Sequence, residues 1–121
     1  MFKNESKFLA IALSAIFFAP AISKASTESE LFKKSLKGDY QAQRNLAYSY
    51  QSGWGSPSDK DYIKPDPIQA CAWRKVILLT NPNKSDLTDY ANESNECKKV
   101  QATDNVKVWS DVRNILAKHS K

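Results

Sequence analysis

The chain has 121 residues, with 18 Lys and Arg against 13 Asp and Glu, one His and two Cys. That length holds one domain and little more. A net charge of +5 without any run of five like charges serves solubility and excludes a nucleic-acid footprint, while the single His119 excludes a His/Cys metal cluster.

Residues 1–25 place Lys3 and Lys7 ahead of an apolar run at 8–19, and Ser23 and Ala25 supply small residues at the −3 and −1 positions of a cleavage site. This is the layout of a secretory signal peptide. The run is short against the ~20 apolar residues that span a bilayer. The expectation is export to the periplasm or the medium, a mature domain at 26–121, and no membrane association after cleavage. That domain carries fifteen basic and twelve acidic side chains, a balance of +3.

Residues 27–37 read as a first helix. Ser26 or Thr27 caps it, Glu28 and Glu30 favour its positive end, and Lys33, Lys34 and Lys37 favour the other. Leu31, Phe32, Ser35 and Leu36 form its inward face. Gly38 suits the end of that helix and Asp39 the cap of the next. There Ala42, Leu46 and Tyr50 recur at helical spacing beside Ala47, until Gly53 and Gly55 stop the helix. Asp66-Pro67 starts a third helix. Its apolar face holds Ile68, Cys71, Ala72, Val76 and Leu79, broadened by Trp73 and Ile77.

At this point the residues resemble a known family. Gly38-Asp39, Ala42-Gln43, Leu46-Ala47, Tyr50, Gly53 and Gly55, Asp66, Ala70 and Trp73 stand in the order and spacing of a Sel-one-like repeat, a relative of the tetratricopeptide helix pairs. The likeness covers residues 38–73. The connector at 56–64 is longer than the family's, and no second full repeat is present. What the resemblance implies is an αα-hairpin whose small residues, Ala42, Ala47, Ala70 and Ala72, let the helices approach closely. The helix at 27–37 then covers the open side of the pair, since a lone repeat cannot bury its apolar stripe.

Asn81-Pro82-Asn83 breaks the third helix, and Ser85 or Asp86 caps a fourth over 86–101. Leu87, Tyr90, Ala91, Cys97 and Val100 are its expected inward residues. Thr103 or Asp104 begins the last helix, lined by Val106, Trp109, Val112 and Leu116 and widened by Val108 and Ile115. About five helices and no strand signal make the chain all-α, a helical hairpin with flanking helices.

Cys71 and Cys97 lie on the apolar faces of two helices that a short turn makes antiparallel, and export places them where disulfides persist. The expectation is one disulfide, worth roughly 3 kcal/mol through its constraint on the unfolded chain. Two free buried thiols are the alternative. No C-x-x-C spacing indicates a redox-active pair.

Catalysis finds little to work with. The one His stands near the chain end, and Gly53-Trp54-Gly55 lacks the lysine and the strand of a phosphate loop. The carboxylate pairs Asp59/Asp61 and Glu93/Glu96 read as solvated charges. The expectation is therefore no enzyme, no cofactor and no metal, with another protein as the partner. With Ala42, Leu46 and Tyr50 inward, Tyr40, Arg44, Tyr48 and Gln51 turn to the other side of their helix, and Trp54 follows in the glycine turn. Tyrosine, tryptophan and arginine are enriched at interface hot spots. By resemblance, the first helix of a tetratricopeptide-like pair lines the concave, partner-facing surface. The alternative is that Tyr40 or Tyr48 packs against the first or last helix. Two roles fit: an envelope adaptor or regulator, or an immunity protein that blocks a periplasm-acting antibacterial toxin such as a cell-wall hydrolase.

Overall fold

The computed structural model describes residues 27–119, so the expected leader at 1–25 lies outside them. Five α-helices make up the described chain: α1 (Glu28–Leu36), α2 (Tyr40–Ser52), α3 (Pro67–Thr80), α4 (Leu87–Lys98) and α5 (Asn105–Lys118). A 3-10 turn, Ala102–Asp104, leads into α5, and among the described residues there is no strand. The all-α expectation holds. Each of the first four helices starts where a side-chain oxygen meets a free amide of the first turn. Thr27 and Glu30 form a reciprocal capping box, Asp39 accepts from the Ala42 N–H at 2.9 Å, and Asp66 accepts from Gln69 at 3.1 Å. Asp86 and Asp89 form a second capping box at the start of α4.

α3 is the axis of the fold: α2, α4 and α5 pack against it, and α1 lies on α2. Its residues explain this position, because α3 is apolar around most of its circumference and so needs cover on several sides. Ala70, Ala72, Trp73, Val76 and Ile77 are buried against Ala42, Leu46, Ala47 and Tyr50 of α2 and Val108, Val112 and Ile115 of α5. Trp73 is 1% exposed and meets the Phe32 ring of α1 edge-on, with centroids 5.8 Å apart. Gln43, fully buried on α2, donates to the Ser35 carbonyl at 3.0 Å and accepts from the Asn81 amide at 2.8 Å. That chain of bonds ties the ends of α1 and α3 together through the core.

The connector between α2 and α3 is ordered by its own contacts. Trp54 and Ile63 exchange two backbone hydrogen bonds of 2.9 Å, which drives the Ile63 side chain into the core. Gly53 has φ of 78°, and a Cβ there would lie 2.9 Å from the Pro65 ring, so only glycine fits this turn.

Cys71 and Cys97 form the expected disulfide, with Cα atoms 4.7 Å apart. Cys71 lies nine residues before the end of α3 and Cys97 ten after the start of α4, so an antiparallel pair joins them with little stagger. The pair is compatible with an oxidising compartment. Among the described residues, no helix is long and apolar enough to cross a membrane.

Two expected faces are rotated, and one residue of a third points outward. On α4, Leu87 is 83% exposed, Tyr90 54%, and Ala91 is exposed too; Asp89 and Glu96 face inward instead. On α5, Val106, Trp109 and Leu116 are exposed, and Val108, Asp111, Val112 and Ile115 form the buried side. Leu79 of α3 also points to solvent. On α4 the reason is electrostatic: Arg74 and Lys75 of α3 face Asp89, Glu93 and Glu96, and meeting them turns that helix's apolar residues outward.

Candidate partner-binding surface

Tyr40, Arg44, Tyr48 and Gln51 share one side of α2, as their spacing requires, but the fold uses them in two different ways. Tyr40 and Arg44 reach α4. The Tyr40 hydroxyl donates to Asp89 Oδ2 and lies 3.3 Å from the Lys84 carbonyl. Arg44 Nε stands 3.1 Å from Asp89 Oδ1, an ion pair whose N–H is not aimed at the oxygen, and the guanidinium lies 5.2 Å from the centre of the Tyr40 ring. Asp89 is 1% exposed and also accepts from the Asp86 N–H at 3.1 Å. One carboxylate thus caps its own helix and clasps it to α2.

Tyr48, Gln51 and Trp54 remain open to solvent, with Tyr48 51% and Trp54 44% exposed. Trp54 is held in place all the same. Its backbone is bridged to Ile63, and its indole N–H donates to Asp61 at 3.1 Å. Asp59 secures the turn beneath by accepting from the Ser56 N–H at 2.7 Å. Two large aromatic side chains are therefore presented on a helix and a braced turn, and the bonded Trp54 has little conformational entropy left to lose on binding.

The carboxylate pairs weighed for acid–base chemistry are all engaged in the fold. Asp59 and Asp61 hold the Trp54 turn; Glu93 accepts from Lys75 at 2.8 Å, and Glu96 pairs with Lys99 at 3.3 Å. Among the described residues, no group of three His, Cys, Asp or Glu could hold a metal ion. An open cleft of about 580 Å3 lies between α1, α2 and α3, lined by Glu28, Phe32, Lys33, Tyr50, Gln69 and Trp73. Its polar groups are likewise committed: the Tyr50 hydroxyl donates to Glu28 at 2.5 Å, and the Gln69 amide donates to Asp111 at 2.7 Å.

Burial, and then the bond to Glu28, push the Tyr50 hydroxyl well above its ordinary value of 10.0. The bond to Asp89, followed by burial, raises Tyr40 as well. Above pH 10 the unfolded chain loses phenolic protons that the folded chain keeps, so stability falls as pH rises through that point. The melting temperature is expected to drop steadily above pH 10, and to drop less in Tyr50→Phe. An identical pH slope in the variant would disprove the assignment.

The sequence placed Tyr40, Arg44, Tyr48, Gln51 and Trp54 near one another but missed Asp89, which sorts them into anchored and free. A signal for it was present: Asp86 and Asp89 stand at the spacing of a capping box, which buries part of the second carboxylate. The chain matches no family model, no curated protein and no solved structure.

Proposed function

We propose that this chain is a non-catalytic protein–protein interaction module of the cell envelope, exported and built on one Sel-one-like helix pair with flanking helices. The observation that carries the reading is the exposure of Tyr48 and Trp54 on a rigid support beside Gln51. Exposed aromatics of this size on a braced frame are suited to fill pockets of a folded partner. Tyr40 and Arg44 act as positioning residues, fixing the first half of α2 against α4. The spacing of the residues at 38–73 supports the family reading, and the residues at 1–25 support export.

The test compares the wild-type protein with a Tyr48→Ala, Gln51→Ala, Trp54→Ala triple variant as baits in envelope extract of the source cells. The variant is expected to lose the partner while staying folded, at a cost of about 0.5 kcal/mol each at Tyr48 and Gln51 and about 1 kcal/mol more for the lost Trp54–Asp61 hydrogen bond. A variant that still holds every wild-type partner would refute the assignment of this surface. A partner lost by the variant that proves to be a secreted hydrolase encoded beside this chain would mark the immunity role; an envelope component would mark the adaptor role.

A further inference from the structure

The seam between α3 and α4 is unlike the rest of the interior. From α3 it receives Cys71, Arg74 and Lys75; from α4 it receives Asp89, Glu93, Glu96 and Cys97. Arg74 is 3% exposed, and its Nε has no hydrogen-bond partner. Burial pulls its pKa down, against the fields of Glu96 and Asp89, both on α4. Apolar packing contributes little here, because Leu87, Tyr90 and Ala91 face water, and only Cys97 and the following Val100 pack against the core. Leaving the seam would return three charged groups, Arg74, Asp89 and Glu96, to water, and their rehydration offsets the ion pairs and packing that the seam provides.

Both ends of α4 are fixed independently of it. Before the helix, Asn81 is tied to Gln43; after it, α5 is held to α3 by Val108, Val112, Ile115 and the bond from Gln69 to Asp111. Remove the covalent bond, and α4 keeps Asp89 on Tyr40 and Arg44, Glu93 on Lys75, the attraction of Glu96 and Asp89 for the buried Arg74, and Val100.

We propose that α4 is a redox-controlled latch: cleavage of the Cys71–Cys97 disulfide frees α4 from α3, while α1, α2, α3 and α5 keep their core. A dithiol reductant supplies the two electrons. Its thiolate attacks the Sγ of Cys97, the partly exposed member of the pair, and Cys71 departs as thiolate and takes up a proton. The second thiol of the reductant then displaces Cys97, leaving two protein thiols and an oxidised, cyclic reductant. The freed end of α4 uncovers the charged side of α3 around Arg74, while Asp89 keeps the start of α4 on α2.

The test is native-state hydrogen exchange on the intact protein, first oxidised, then reduced with dithiothreitol, then reoxidised. On reduction, amides in the last two turns of α4 are expected to exchange about tenfold faster or more, while those of α2 and α3 stay within about threefold. Reoxidation restores the first pattern. Unchanged protection in α4 overturns the proposal, and so does a loss of protection that spreads equally to α2 and α3, because the bridge would then hold the whole core.

Discussion

Trp73→Ala is expected to lower the melting temperature by roughly 12–40 °C. Trp73 is the largest fully buried side chain among the described residues, seated where α1, α2 and α3 meet, with Phe32 edge-on to its ring. Truncating a buried tryptophan removes its transfer free energy and leaves a cavity, together about 3–5 kcal/mol. The described domain, at 93 residues, has a total stability on the order of 5–14 kcal/mol. A thermal melt followed by circular dichroism reads the effect directly. A variant that melts within a few degrees of the wild type would show that the three helices do not share this interior.

The second large effect belongs to Asp89. Asp89→Ala removes the acceptor for the Tyr40 hydroxyl, the counter-charge of Arg44 and half of the α4 capping box. It also removes one of the two carboxylates whose fields oppose the desolvation of Arg74. Breaking a buried pair by deleting one partner costs about 3–5 kcal/mol, and the partial exposure of Arg44 places this case near 3. The urea midpoint is expected to fall accordingly, with Asp89→Asn milder because the amide still accepts a hydrogen bond. A loss below about 1 kcal/mol in the alanine variant would mean that the clasp is ornamental to stability.

Helix positions were legible in the sequence because local chemistry decides them. Thr27, Asp39, Asp66 and Asp86 each precede a helix start, and all four serve as caps. The inward faces of α1 and α2 followed from apolar spacing, and so did most of α3. The disulfide followed from two cysteines on facing helices. The orientation of α4 did not follow, because hydrophobic spacing assumes that apolar residues turn inward. On α4 the inward residues are carboxylates answering Arg74, Lys75 and Arg44, and that demand arises only once α3 and α2 are beside it. Ile63 was missed for a related reason: a lone apolar residue in a polar connector has no period, and only the bridge to Trp54 carries it inside. At the candidate surface, sequence spacing put Tyr40, Arg44, Tyr48 and Gln51 on one side of a helix. It could not separate them, because the separation depends on a residue forty-five positions beyond Arg44.

The central claim is that the open side of α2 and its braced turn contact a protein partner. A photo-crosslinking amino acid placed at position 48 tests it most directly, with a second protein carrying the same group at the exposed position 113 of α5 as the control. Irradiated in envelope extract of the source cells, the first should give one discrete adduct and the second none. Adducts from position 113 alone, or equal and diffuse labelling from both positions, would contradict the claim.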